Sequence, residues 1–163
     1  MGYTIAICDD DKTMADKLTA SLKNEFMKAG RNDVIIDYYD TGVQLLETLK
    51  NKMYKAVLLD INMEPMDGFS VAEAIGKSGY RTKIIFVTSH EDVVYDTFDY
   101  TPFYFIRKSR YETYVQRVVK KLIAIDGYEK TIVLDDKDGI ININSGDITY
   151  VHSEDHYLTV HTA

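Results

Sequence analysis

The chain has a single cysteine, Cys8, in 163 residues. One thiol cannot staple a fold, so a reducing, cytoplasmic setting is expected, with Cys8 a small buried apolar residue. No apolar run approaches the ~20 residues needed to cross a bilayer, and no membrane association is expected. The opening "MGYTIAICDDD" has no basic region ahead of its apolar stretch and turns acidic at once. It reads as a first strand, not as a signal peptide. Acidic residues also outnumber basic ones, 26 Asp/Glu against 19 Lys/Arg. The formal net charge is −7, with 17 Lys/Arg against 19 Asp/Glu in residues 1–126 and 2 against 7 in residues 127–163. Neither part carries the basic footprint of a nucleic-acid-binding unit. Internal repeats and low-complexity segments are absent as well. What is present is apolar content, 45% of the residues, enough for one good-sized core or a core plus a fragment.

To about residue 125 that content alternates in kind. Short runs of strand length ("YTIAIC", "VIIDYY", "AVLL", "KIIFV", "FYFI") are each followed by a stretch with helical spacing. The helical faces read as Met14, Leu18, Leu22 and Phe26, then Val43, Leu46 and Leu49, then Phe69, Ala72 and Ile75. "EDVVYDTFDY" follows the fourth run, and Tyr111, Val115, Val118, Leu122 and Ile125 follow the fifth. Ser109 and Glu112 have the S-x-x-E spacing of a capping box at the last helix start. Five such units predict a doubly wound, five-stranded parallel sheet with helices on both faces. After Asp126 the pattern becomes short strands broken by Asp-Gly and Ser-Gly turns, the start of an antiparallel β segment.

In an open α/β sheet the chemistry sits beyond the carboxyl ends of the strands. The first strand delivers Asp9, Asp10 and Asp11 there, and the third delivers Asp60 and then Asn62. The fourth gives Thr88 and Ser89, and the fifth gives Lys108. Clustered carboxylates repel unless a cation sits among them, and oxygen ligands favour Mg²⁺. A hydroxyl and an ammonium beside them suit the oxygens of a phosphoryl group, with Asp60 as the candidate nucleophile. Each residue also has a plainer reading. Asp11 is placed to cap the first helix, Thr88 to cap the next one, Asn62 to shape a turn, and Lys108 to lie along the surface. The concurrence of all four features at one edge, in order, favours the site.

The pair Asp9–Asp10, Asp60 in "LLDINMEPMDG", Thr88 in "IIFVTS" and Lys108 in "PFYFIRK" together resemble the receiver domain of two-component response regulators, over residues 3 to about 125. The following "ITYVHSEDHYLTVHT" resembles the start of a LytTR-type DNA-binding output domain. The resemblance implies that a sensor histidine kinase phosphorylates Asp60. It implies that Asp10, Asp60 and the carbonyl of Asn62 bind Mg²⁺ directly, with Asp9 acting through water. Thr88 and Lys108 would hold the phosphoryl oxygens, and Phe105 would be the switch aromatic. Phosphorylation would then reshape the face of the fourth helix, fifth strand and fifth helix into a homodimer surface and switch a transcriptional output. His90 stands where the family tunes hydrolysis of its phosphate, with a solvated loop histidine as the plain alternative. The sequence departs from the family in three places, one of them Ser89, where Ala is more common. Ser109 stands where Pro usually follows the conserved lysine, which leaves either a trans bond with a shifted Lys108 or a cis bond. Pro65 falls one place later than in the usual "MPGMDG".

The expected organisation is a receiver domain over 1–125, a linker over 126–130, and a truncated LytTR-like piece over 131–163. DNA binding is therefore expected only of the intact protein. His156, in the loop the family places near DNA, is a candidate contact or a simple turn residue. A Mg²⁺-dependent phosphatase of the haloacid-dehalogenase type is the competing class. It needs a second acid where Asn62 stands, and a nucleophile on the first strand. A flavodoxin-like flavin binder would need a Ser/Thr/Gly-rich loop after the first strand, which is missing.

Overall fold

The computed structural model of the chain describes residues 2–89, 99–126, 131–136, 139–154 and 157–162. His90, His156, most of the helix expected after the fourth strand, and residues 127–130 of the expected linker lie outside the described residues. The elements are β1 (Tyr3–Cys8), α1 (Lys12–Lys28), β2 (Val34–Tyr39), α2 (Gly42–Leu49), β3 (Ala56–Asp60), α3 (Gly68–Lys77), β4 (Lys83–Thr88), β5 (Tyr104–Arg107) and α4 (Tyr111–Asp126). The first five strands form one parallel sheet in the order β2-β1-β3-β4-β5, with β3 at its centre. This is the doubly wound sheet the alternation predicts. β3 is buried along its whole length, as a central parallel strand covered on both faces must be.

The two faces follow from the strand period of two. Ala6, Cys8, Val57, Leu59 and Phe86 point to the side that holds Leu45, Leu49, Val71, Ala72 and Ile75 of α2 and α3. On the other side Tyr3 meets Phe26 of α1, with ring centroids 5.1 Å apart. α1 buries Met14, Ala15, Leu18, Leu22 and Phe26, which includes the whole predicted stripe. α2 departs from its prediction. It buries Gly42, Leu45 and Leu49, while Val43 is 51% exposed. The reason is Gly42: a Cβ there would lie 2.3 Å from Val71 Cγ2, so α2 turns its bare backbone toward α3 and rotates Val43 outward. α3 buries Gly68 and Val71 along with the expected Ala72 and Ile75, and Phe69 is only partly buried. In α4, Val115, Val118, Val119 and Leu122 are buried.

The start of α4 also corrects the capping prediction. Ser109 falls inside a 3-10 turn, Lys108–Arg110, whose own N-cap is Arg107 and makes no side-chain capping bond. Ser109 is therefore already helical, and Glu112 instead accepts a bond from the Tyr111 hydroxyl at 3.3 Å. The Lys108–Ser109 bond is trans, the one cis bond among the described residues being Glu64–Pro65.

The chain divides into two compact units, meeting between Val119 and Lys120 within α4. The second contains two antiparallel hairpins, β6 (Thr131–Asp136) with β7 (Gly139–Asn144) and β8 (Ile148–Glu154) with β9 (Tyr157–Thr162). The predicted Ser-Gly turn is a 3-10 turn, Ser145–Asp147, that passes from one hairpin to the other instead of closing either.

At the edge of the main sheet, Asp37 of β2 accepts from the Tyr54 hydroxyl and pairs with Lys52, and Tyr39 and Tyr54 hydroxyls lie 2.6 Å apart. Burial pushes the Asp37 carboxyl up, but Lys52 and Tyr54 more than offset this and hold it below the usual carboxylate range. A carboxylate depressed on folding contributes stability that is present above its unfolded pKa and is lost as pH falls through the folded one. Replacing Asp37 with Asn should therefore cost about 1–2 kcal/mol at pH 7 and flatten the acid limb of the stability curve below about pH 4. Urea unfolding across pH 3–7 measures both. An unchanged acid limb would remove Asp37 as its source.

Candidate phosphoacceptor site

Strand register assembles the site. Cys8 is opposite Leu59, Asp60 opposite Val87, and Thr88 opposite Arg107. Asp9, Asp60, Thr88 and Lys108 thus arrive at one edge of the sheet from four neighbouring strands. Asp9, Asp60 and Thr88 are buried, at 1%, 4% and 1% exposure, and Asp10 is exposed. The Lys108 ammonium lies 2.9 Å from Asp9 Oδ2 and 3.0 Å from Asp60 Oδ2. It is no surface lysine: its side chain is 15% exposed and bridges the two acids. The trans bond to Ser109 leaves it within this reach.

The electrostatics leave the site short of positive charge. Burial raises the Asp9 carboxyl, and Lys108 and the Asp11 amide offset only part of this. Asp60 is raised for the same first reason, against the same ammonium, with Asp9 adding to the rise. Burial pulls the Lys108 ammonium down, but the two carboxylates more than compensate and hold it above the ordinary lysine value. Three carboxylates and one ammonium leave two negative charges uncompensated. Asp9 Oδ2 sharpens the point. Its ion pair with Lys108, at 2.9 Å, is its single polar contact among the described residues, which leaves a second lone pair of this buried oxygen unmet. Carboxylate oxygens from Asp9, Asp10 and Asp60 lie within 4.8 Å of one another. An all-oxygen donor set with a stranded buried lone pair fits a hard divalent cation, Mg²⁺ above all.

The turns around the acids are held by main-chain bonds. The Asp11 side chain accepts from the Met14 amide at 3.1 Å as the N-cap of α1, which bears out its plainer reading. The Asp11 amide in turn donates to Asp9 Oδ1 at 2.9 Å. The Asp9 amide donates to the Tyr39 carbonyl at 3.1 Å, and the Tyr38 hydroxyl donates to the Asp9 carbonyl at 3.0 Å. Beyond Asp60, buried Ile61 and Met63 flank exposed Asn62. Met63 is held at its sulfur, 3.7 Å from Cys8 Sγ. Cys8 itself is fully buried, and burial with the nearby acids pushes its thiol up to about 12, so it is unreactive packing as expected. Gly68 closes the loop: its amide donates to the Ile61 carbonyl at 2.9 Å, and a Cβ there would lie 2.2 Å from the Asp60 carbonyl oxygen.

Phe105 is partly buried against the core cluster and sits opposite Phe86 in the register. Phe86 belongs to an aromatic group with Phe69 (5.5 Å) and Tyr100 (6.2 Å), and the last two stack at 5.1 Å. Neither this group nor Tyr38 was anticipated from the sequence, because contacts between strands and loops leave no local spacing to read. The phosphatase alternative meets its two predicted obstacles: Asn62 is an exposed amide, and Asp60 is on the third strand.

An acid pair, a third aspartate, a hydroxyl and a lysine thus meet at one edge of this sheet. Residues 5–120 match the family of response regulator receiver domains, and the chain belongs to that family. It is similar to the transcriptional regulatory protein YpdB of Escherichia coli (strain K12), 28% identical over 90 residues that cover 55% of this chain and 37% of that protein. Similarity to the sensory transduction protein LytT of Bacillus subtilis (strain 168) is weaker but longer, 22% over 172 aligned positions, covering 97% of this chain and 68% of LytT. The region matched thus spans little more than a third of the curated relatives it matches first. Among solved structures, the response regulatory domain of MrkE from Klebsiella pneumoniae superposes with a TM-score of 0.67 at 22% identity, over 75% of this chain and 96% of that one. Response regulator TrrA from Thermotoga maritima, solved in complex with Mg(2+)-BeF, does so with a TM-score of 0.59 at 28% identity, over 74% and 98%. Family membership places the chemistry on the chain's own aspartate, not on an external substrate.

Gly68→Ala should destabilise the protein by roughly 1–3 kcal/mol, because the added methyl overlaps the Asp60 carbonyl. Thermal unfolding checks this, and a wild-type melting temperature would show that the close approach relaxes freely.

Proposed function

We propose that Asp60 is the phosphoacceptor of a two-component response regulator, that a sensor histidine kinase supplies its phosphoryl group, and that the residues around it divide the work as follows. Bound Mg²⁺ would neutralise the acid cluster and the incoming phosphoryl oxygens. Asp9, Asp10, Asp60 and the carbonyl of Asn62 would hold it, Asp9 through water. An Asp60 oxygen forms a new bond to phosphorus as the donor's phosphorus–nitrogen bond breaks. Lys108 gives up its contact with the Asp60 carboxylate and pairs with the new phosphoryl charge, which it reaches from its present place with little movement. Thr88 turns to a second phosphoryl oxygen, and Phe105 moves into the room it leaves. The observation that carries this reading is the buried Asp9–Lys108–Asp60 arrangement, with its stranded Asp9 oxygen. The Mg(2+)-BeF complex of TrrA supports the metal assignment.

Residues 1–125 form the receiver, 126–130 the linker, and 131–163 part of a LytTR-type DNA-binding output. The last assignment is supported by the antiparallel hairpins that follow the receiver. Phosphorylated chains pair through the face of β5, α4 and the segment before β5, and the transcriptional output follows. His90 is a candidate for tuning the lifetime of phospho-Asp60, with a solvated loop histidine as the alternative, and His156 a candidate DNA contact in the intact protein, with a turn residue as the alternative.

Incubation with acetyl phosphate and Mg²⁺ should add one phosphoryl group, about 80 Da by mass spectrometry. Asp60→Asn or EDTA should abolish the adduct. An adduct that survives Asp60→Asn would place the acceptor elsewhere and end this assignment.

A further inference from the structure

The acid pair has a support that neither the family resemblance nor the relatives assign. Asp10 is the exposed member of the metal-binding triad, so side-chain packing does little to fix its direction. Its backbone is restrained through the peptide plane that joins it to Asp9. The carbonyl of that plane accepts the Tyr38 hydroxyl at 3.0 Å. One residue further along β2, the Tyr39 carbonyl accepts the Asp9 amide at 3.1 Å. The parallel register, with Ile7 opposite Tyr38 and Cys8 opposite Tyr39, runs out where the acids begin. The Tyr38 side chain extends the ladder by one bond beyond the last paired residues. Its ring is braced from outside by Lys12, whose ammonium lies 4.6 Å from the ring centroid.

We propose that Tyr38 is a positioning residue for the metal site, its hydroxyl holding the Asp9–Asp10 peptide so that the Asp10 carboxylate is preorganised toward Asp9 and Asp60. The inference rests on the Mg²⁺-dependent reading of the site. A carboxylate already held in place loses less freedom when it binds a cation, so the hydroxyl acts on Mg²⁺ affinity and not on the transfer step itself. The bond is made to the main chain, which is why any side chain of similar shape without a donor should fail to replace it.

The test is Tyr38→Phe in the full chain, which keeps the ring under Lys12 and removes only the hydroxyl. Mg²⁺ binding is read by calorimetry, with no phosphodonor present. The dissociation constant should rise roughly three- to tenfold, the worth of one hydrogen bond. The rate of acetyl-phosphate labelling at saturating Mg²⁺ should stay within about twofold of wild type. An unchanged Mg²⁺ affinity overturns the proposal, as does a labelling rate that falls at saturating Mg²⁺ while affinity holds. Tyr38→Met, flexible enough to fill the same space without a donor, provides the same measurement where the Phe variant does not fold. A wild-type chain that takes up no Mg²⁺ overturns the metal reading and this inference together. Wild-type uptake matched by Tyr38→Phe overturns this inference alone.

Discussion

Two buried carboxylates share one ammonium, and the rest of the first unit is arranged around that shortage. Lys108 stands about 3 Å from both Asp9 and Asp60. A single charge cannot neutralise two, and burial raises both acids above their ordinary range in spite of it. Isolated in a small protein, such a cluster would simply take up protons. Here it stays poised because the site lies at the open edge of the sheet, where exposed Asp10 completes the donor set and a divalent cation can enter. The cost of burying the acids therefore becomes a demand for a cation.

That demand explains the stiffness of the surroundings. Asp9 is the first residue past β1 and Asp60 the last residue of β3, and bonds to the main chain hold each turn. On one side these are Asp9 to Tyr39, Tyr38 to Asp9, and Asp11 to Asp9 and Met14. On the other, Gly68 is drawn so close to the Asp60 carbonyl that no side chain fits. Buried Ile61 and Met63 fix the loop between them and leave Asn62 at its exposed apex. The result is a rigid cradle around a few groups, Lys108, Thr88 and Phe105, whose rearrangement the proposed switch requires.

Much of this is legible in the sequence because it rests on two simple periods. Apolar runs followed by helical spacing give the parallel sheet, and the parallel sheet brings Asp9, Asp60, Thr88 and Lys108 to one edge. Legibility fails where contact depends on the third dimension. The α2 face is not legible because Val43, Leu46 and Leu49 have good spacing, whereas close approach to Val71 through Gly42 decides the rotation. The capping box at Ser109 has the right letters, but the chain is already turning at Lys108, so the cap position has passed. Tyr38 and Tyr100 act through partners on other strands and loops, at distances along the chain that follow no period.

The same reasoning bears on the second unit. Its hairpins carry apolar side chains across their pairings, with Ile132, Ile141 and Ile143 on one face of the first and Val151, Leu158 and Val160 on one face of the second. Yet Ile141 is 49% exposed, Val151 50% and Leu158 63%. In the first unit the same kind of alternation ends in residues with no exposure at all, because helices cover both faces of the sheet. A two-stranded sheet has no second layer of its own and is at best marginally stable alone. The contrast separates a unit whose core is closed by its own connections from hairpins whose apolar faces need a further layer. Acidic charge concentrated in residues 127–163 works against like-charged surfaces as that layer. The first unit thus has the core to keep two carboxylates buried, while the second supplies strands whose stability depends on what they are packed against.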